Sequence, residues 1–160
     1  MMSFPTQAAL DNPYGRSKKA GEELVLAYGR ETSAQILIYR FPNVFGKWCR
    51  PNYNNAVATL YHNIARNLPI TVNDPGVVMT LVYIDDVMEE LLRALQGRAN
   101  CTGDFYAVPV VYTITLGKIV DLIYSFRNSR QALSVPDMAD GIALKLYSTY
   151  FSYQPTVIGQ

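Results

Sequence analysis

Residues 12–18 read Asn12-Pro13-Tyr14-Gly15-Arg16-Ser17-Lys18, and they predict the start of a helix that carries a phenol and an ammonium on one face. Asn is a favoured N-cap, and Pro suits the first helical position because its missing N–H would be unpaired there. Tyr14 and Lys18 are four residues apart, so their side chains share a face. An ammonium close to a phenol favours the phenolate. Such a phenol can exchange a proton near neutral pH, which suits interconversion of a carbonyl and an alcohol.

The competing interpretation of this pair is a surface tyrosine and lysine without function, since the chain contains 12 tyrosines and the spacing arises often by chance. The context favours function, because a helix-start signal precedes the pair and a strand pattern follows it. That pattern is Ile36-Leu37-Ile38-Tyr39, an apolar run that predicts a buried parallel strand. A helix followed by such a strand is the second half of a βαβ unit, which indicates the α/β class.

Composition limits the partners and the compartment. With 160 residues, of which 49% are hydrophobic, the chain can bury the core of one domain or part of one. A net charge of +1 gives no reason to expect nucleic acid or an anionic membrane as a partner. Cys49 and Cys101 lack metal-ligand spacing, and we interpret them as reduced thiols of a cytoplasmic protein without a metal site. No stretch predicts a membrane span, and residues 1–5 predict no secretory signal.

Periodicity and turn residues predict the remaining elements, all within a single partial domain over residues 1–160. The expected helices span about 13–30, 51–67, 85–95, 116–127 and 136–147. The further expected strands span about 69–72, 80–83 and 104–108. Asp85 is interpreted as an N-cap rather than as a catalytic acid, and residues 148–160 receive no assignment.

The loop after the buried strand carries candidate substrate residues. It reads Arg40-Phe41-Pro42-Asn43-Val44-Phe45-Gly46, and ligands bind at the carboxyl ends of strands in open α/β sheets. Asn43 is interpreted as a substrate contact or a turn residue, and Arg40 as a phosphate contact or a partner in a structural ion pair. The residues that line a sugar pocket, or cap a helix, are Asn52, Tyr53 and Asn54.

No Gly-x-Gly-x-x-Gly and no looser glycine-rich turn between a strand and a helix occurs in the sequence. Such a turn lets backbone N–H groups approach a pyrophosphate at a helix N-terminus. We therefore expect the chain to lack the phosphate-binding N-terminal half of a dinucleotide fold.

Four segments make the chain resemble the extended short-chain dehydrogenases/reductases, and within them the NAD-dependent epimerase/dehydratase family. They are residues 12–18, residues 40–46, the strand-to-helix segment at residues 82–87, and Thr6 at the place of a catalytic Ser/Thr. Two aromatic-rich segments, residues 46–54 and 146–150, resemble more narrowly the capsular-polysaccharide reductases of UDP-sugars. The general resemblance covers about residues 6–130, and the narrower one extends to about residue 153.

The resemblance implies the C-terminal, substrate-side portion of an extended Rossmann-type domain. Its implied activity is NAD(P)-dependent reduction of a nucleotide-activated sugar, or epimerisation through a keto intermediate, for capsular or surface polysaccharide. It implies Tyr14 as general acid, Lys18 as its electrostatic partner and a contact of the nicotinamide ribose, and Thr6 as a hydrogen-bond partner of the substrate oxygen. NADP, or NAD, would be bound mainly by the missing N-terminal half. The Tyr14 helix and the helix before residue 67 resemble the pair that forms a homodimer interface in many relatives.

The chain departs from the family pattern in three places. Phe4-Pro5 replaces a Ser-Ser, so an ordinary loop Thr is the alternative for Thr6. Met79 stands where many relatives have an Arg that contacts the nucleotide, and the single His62 leaves no ligand set for the metal-binding cupin of long capsular reductases. We expect these 160 residues alone to be inactive. The competing function is a non-catalytic remnant or interaction module on the same scaffold.

Overall fold

The chain folds into alternating strands and helices in a computed structural model, which describes residues 2–5, 11–53, 55–133 and 140–155. The strands are β1 (Met2–Pro5), β2 (Ile38–Phe41), β3 (Asn43–Phe45), β4 (Val78–Tyr83), β5 (Cys101–Thr102), β6 (Phe105–Tyr106) and β7 (Tyr112–Thr115). The helices are α1 (Pro13–Thr32), α2 (Ala56–Ala65), α3 (Ile84–Leu95), α4 (Leu116–Ala132) and α5 (Gly141–Tyr153). In the described ranges, no helix has the length and apolar character needed to cross a membrane. The predicted α/β class is confirmed.

Two small sheets organise these elements. In the first, the strand order is β1-β2-β6-β5, and β1 runs parallel to β2 with Met2 opposite Ile38 and Pro5 opposite Phe41. Because α1 connects two parallel strands, it runs back along the sheet and begins at their carboxyl end. In the second sheet the order is β3-β4-β7, with β3 parallel and β7 antiparallel to β4.

Strand β2 is covered on both faces, as its continuous apolar pattern predicts. Tyr39 and Phe41 are buried in a cluster with side chains of α3. Arg40 points to the opposite face, because successive side chains of a strand alternate, and it reaches Glu22 of α1. The strand is therefore held between α1 and α3.

A larger apolar core lies between the second sheet and helices α2, α4 and α5. Its largest fully buried side chains include Tyr61, Phe126 and Tyr150. The Tyr61 hydroxyl donates to the carbonyl of Leu146 at 2.9 Å, which pairs a polar group inside this core. Periodicity assigns no element to residues 148–160, yet α5 continues through Tyr153 and belongs to the core.

Two predicted helix starts are wrong. α2 begins at Ala56 rather than near residue 51 because Asn55 caps it, and the Asn55 side chain accepts a first-turn backbone N–H at 2.9 Å. α3 begins at Ile84, so Asp85 lies in the first turn and is not the N-cap. Residues 69–72 form no strand in the structure.

The outer faces of α1 and α2 differ from each other. Ala20, Leu24, Ala27 and Tyr28 recur at helical spacing and predict one apolar stripe along α1. This stripe is not buried within the chain, since Leu24 is 72% and Tyr28 59% exposed. The buried residues of α1 are instead Gly15 and Glu22. α2 places its apolar side chains inward, against α4 and α5. Of the two helices that resemble a dimer-forming pair, α1 therefore presents exposed leucines, whereas the apolar side chains of α2 lie inside the core of this chain.

Candidate active site

The helix start at residues 12–18 has the predicted geometry. The side-chain oxygen of Asn12 accepts the backbone N–H of Gly15 at 2.7 Å, and Pro13 begins the helix. Tyr14 is 48% exposed, and the Lys18 ammonium lies 5.1 Å from the centroid of its ring. The phenol and the ammonium are neighbours on one face of α1, and the phenol is open to a ligand.

The fold brings this face of α1 to the sheet edge where ligands bind in open α/β proteins. α1 begins beyond the carboxyl end of β1, and the chain leaves β2 at the same edge because the two strands are parallel. The prediction of a loop over residues 40–46 is wrong, since Arg40 and Phe41 end β2 and β3 follows after Pro42. Asn43 follows β2 by two residues. The topology therefore brings Tyr14, Lys18 and Asn43 to one edge. Thr6 and Asn54 lie outside the described residues.

Arg40 is engaged within the fold rather than open to a phosphate. Its Nε donates to Glu22 Oε1 at 3.0 Å, and its Nη2 donates to Glu22 Oε2 at 2.7 Å. The guanidinium carbon lies 3.5 Å from the centroid of the Phe105 ring. Hydrogen bonding to Glu22 raises the pKa of Arg40 and outweighs the burial that would lower it. Of the two interpretations of Arg40, this geometry favours the structural ion pair.

The other candidate substrate residues are exposed. The Asn43 amide donates to the carbonyl of Thr80 at 3.2 Å, which links the start of β3 to β4. Asn52 has a left-handed backbone with φ of 56°, and Tyr53 is 66% exposed. The helix-cap alternative is wrong for Asn52, because Asn55 caps α2. Substrate contact by these residues stays a prediction.

The two acids at the start of α3 form ion pairs with lysines. Asp85 lies 3.4 Å from Lys47, and Asp86 lies 2.6 Å from Lys145. Burial lowers the pKa of Lys145, but its interactions with Asp86 and Tyr112 outweigh burial and raise it. These contacts support a structural role for both acids. Over the described part of the chain, no group of three His, Cys, Asp or Glu side chains is arranged to hold a metal ion.

Sequence reasoning missed Glu22 and Phe105 as the partners of Arg40. Glu22 follows Lys18 by four residues and Tyr14 by eight, so helical periodicity places it on the same row of side chains, about 80° around the helix from Tyr14, and this spacing could have indicated it. Phe105 reaches Arg40 because β6 pairs with β2, and no local spacing in the sequence indicates that pairing.

Comparison with known proteins identifies the family to which the chain belongs. Residues 3–108 match the model of the NAD dependent epimerase/dehydratase family. The chain belongs to this family. It is 44% identical over 149 residues to the UDP-2-acetamido-2,6-beta-L-arabino-hexul-4-ose reductase of Pseudomonas aeruginosa, an alignment that covers 93% of this chain and 40% of that protein. It is 33% identical over 94 residues to UDP-glucuronate 4-epimerase 1 of Arabidopsis thaliana, covering 56% of this chain and 21% of that protein.

Solved structures of other proteins have the same fold. The capsular polysaccharide assembling protein CapF of Staphylococcus aureus superimposes with a TM-score of 0.93 at 45% identity, over 99% of this chain and 43% of that chain. A UDP-glucuronic acid 4-epimerase of Bacillus cereus, solved with UDP-glucuronic acid and NAD, superimposes with a TM-score of 0.70 at 20% identity, over 89% of this chain and 52% of that chain, which shows the shared fold alone. The chain therefore spans less than half the length of the Pseudomonas and Staphylococcus relatives.

The described residues fit one end of a nicotinamide cofactor. The exposed phenol of Tyr14 and the ammonium of Lys18 offer donors to ribose hydroxyls at the ligand edge. A pyrophosphate needs a glycine-rich approach to a helix N-terminus, and the sequence contains no such turn. The donors present therefore suit the nicotinamide riboside and not the phosphates.

Proposed function

We propose that this chain carries the proton-transfer helix and the substrate-side residues of an NAD(P)-dependent enzyme acting on a nucleotide-activated sugar. The reaction is reduction of a keto group, or epimerisation through a keto intermediate, in the synthesis of capsular or surface polysaccharide. The observation that carries the proposal is the half-exposed Tyr14 phenol with the Lys18 ammonium 5.1 Å from its ring. It occurs in a chain that is 44% identical to a reductase of a UDP-linked hexul-4-ose.

In this proposal Tyr14 is the general acid. Its phenol gives a proton to the substrate carbonyl oxygen, and the nicotinamide cofactor, when bound, supplies the hydride for the carbonyl carbon. Lys18 stabilises the phenolate that remains, because a positive charge near a phenol favours its ionised form. Tyr14 and Lys18 also hold the nicotinamide ribose, and Thr6 hydrogen-bonds the substrate oxygen.

The sugar nucleotide lies against the loops that follow β2 and β3. Asn43 contacts the substrate, and the sugar is lined by Asn52, Tyr53 and Asn54. Arg40 takes no direct part, because Glu22 and Phe105 already hold its guanidinium. The substrate of the Pseudomonas relative, a UDP-linked 4-keto sugar, is the first compound to test, with NADPH before NADH.

We propose further that the enzyme is a cytoplasmic homodimer. Leu24 and Leu26 are exposed on α1, at 72% and 40%, and apolar surface of this kind is commonly covered by a second subunit. Cys49 and Cys101 are free thiols, which agrees with a reducing compartment.

The competing function is a non-catalytic remnant or interaction module on the same scaffold. A chimera separates the two functions. In it, this chain replaces the matching 149-residue segment of the Pseudomonas reductase. The enzymatic proposal predicts saturable NADPH binding and NADPH oxidation that depends on the 4-keto sugar nucleotide. A folded chimera that binds NADPH without oxidising it, at saturating sugar nucleotide, would support the non-catalytic module.

A further inference from the structure

Helix α1 carries the Tyr14–Lys18 face but makes few buried contacts of its own. Of its 20 residues, Gly15 and Glu22 are buried, while Leu24 is 72% exposed. Within one chain, therefore, little apolar packing is available to fix the rotation of α1 about its axis or its position along that axis. A charged side chain as deeply buried as Glu22, at 4% exposed, requires a partner.

The partner of Glu22 is Arg40, and the two side chains meet edge to edge. Both carboxylate oxygens accept from the guanidinium, at 3.0 Å and 2.7 Å. A paired contact of this kind fixes orientation as well as distance, because the guanidinium is planar and presents its donors in a rigid fork. The centroid of the Phe105 ring lies 3.5 Å from the guanidinium carbon, so the ring packs against the flat face of the guanidinium. We call these three residues the Arg40 clasp; it joins α1, β2 and β6.

Glu22 is well placed to set the position of the phenol. It follows Tyr14 by eight residues and Lys18 by four, so the three side chains lie along one row that drifts by about 80° around α1 over about 12 Å of helix. A rotation of about 20° would move a side chain about 6 Å from the axis by about 2 Å. Displacements of about 1 Å at a reacting group cost up to about a hundredfold in rate.

We propose that the Arg40 clasp positions Tyr14 and Lys18 for proton transfer, and that Glu22 and Arg40 are positioning residues rather than substrate contacts. The inference rests on the proposed function of Tyr14 and adds to it the device that holds the phenol in place.

The test uses Glu22→Gln in the chimera, alone and combined with Tyr14→Phe. Glutamine keeps the shape of the side chain but loses the charge and one acceptor. The clasp predicts that Glu22→Gln lowers kcat by about tenfold or more with little change in KM for the sugar nucleotide. In the Tyr14→Phe background the same change should have almost no further effect on kcat, because residues that act through one group are not additive.

Asp86→Asn is the matched control, since it breaks an ion pair of similar burial that does not involve α1. Tyr14→Phe should lower kcat by the same factor in the Asp86→Asn chimera as in the parent chimera. In the cofactor-free chimera with 13C-labelled tyrosine, the Tyr14 ring resonance should move in Glu22→Gln and stay in place in Asp86→Asn. If Glu22→Gln does not fold, Arg40→Lys keeps the positive charge without the fork and serves in the same comparison.

Three outcomes would overturn the inference. In the first, Tyr14→Phe impairs turnover while Glu22→Gln leaves kcat and the Tyr14 resonance unchanged. In the second, Glu22→Gln lowers kcat by the same factor with and without Tyr14, which indicates a loss of folded protein only. In the third, Tyr14→Phe turns over normally. That result refutes the proposed function itself, and with it any need to position the phenol.

Discussion

Tyr39→Phe should destabilise the fold by about 2 kcal/mol, because it removes a buried hydrogen bond to the side chain of a buried glutamate. Tyr39 is fully buried on β2, and its hydroxyl donates to Glu90 Oε1 at 2.8 Å. Glu90 is 1% exposed, and the backbone N–H of Asn100 is its other donor, at 2.6 Å. Oε2 of Glu90 has no hydrogen-bond partner in the ranges that the structure describes.

The magnitude follows from what the substitution leaves behind. Removing one partner of a buried hydrogen bond costs about 1–3 kcal/mol. Phe keeps the aromatic ring, whose centroid lies 5.5 Å from the ring centroids of Phe41 and Tyr106. For a chain of this length, about 2 kcal/mol corresponds to a fall in Tm of about 4–8 °C.

Urea unfolding of the 160-residue chain at pH 7 and one protein concentration, followed by circular dichroism, measures this loss. Tyr28→Phe is the control, because that phenol is 59% exposed and its loss should change the free energy of unfolding by less than about 0.5 kcal/mol. Equal urea midpoints for Tyr39→Phe and wild type, with equal slopes, would refute the assignment of stability to this hydrogen bond.

Three other predictions concern pH, association and cofactor binding. Burial raises the pKa of Tyr153 to about 12, above the value of about 10 for free tyrosine, so the folded state keeps a proton that the unfolded chain loses. The contribution of the protonated Tyr153 phenol to the free energy of unfolding is fully present below pH 10 and is lost as pH rises from about 10 towards 12. Tyr153→Phe should therefore make the fall in Tm over this pH range shallower. An unchanged slope of Tm against pH would contradict this prediction. The chimera should have a dimeric mass by light scattering, Leu24→Asp should make it monomeric, and Leu95→Asp, a control on α3, should not; a monomeric parent would be evidence against the interface. NADPH titrated into the 160-residue chain alone should give no saturable fluorescence change, because Tyr14 and Lys18 reach only the nicotinamide end; saturation at micromolar concentration would show that the chain also holds the phosphates.

Local signals in the sequence were enough for the elements that carry the candidate site. The Asn12 cap, Pro13 and the four-residue spacing of Tyr14 and Lys18 depend on backbone neighbours alone, and the structure confirms each of them. The apolar run ending at Tyr39 likewise predicts a strand covered on both faces, although β2 begins two residues later than expected.

The features that the sequence left open or predicted wrongly depend on contacts between distant parts of the chain. Arg40 has two chemically reasonable partners, a phosphate or an acid, and only the fold brings Glu22 and Phe105 to it. The stripe of α1 has helical periodicity, but periodicity does not tell which face meets the sheet, and Leu24 is exposed.

The central claim is that the Tyr14 phenol transfers the proton, and Tyr14→Phe in the chimera tests it most directly. Phe keeps the ring beside Lys18 and removes the hydroxyl, so turnover of the 4-keto sugar nucleotide should fall by at least about a hundredfold with substrate affinity almost unchanged. Tyr28→Phe, on the same helix, should turn over like the parent. Near-normal turnover of the Tyr14→Phe chimera would contradict the account.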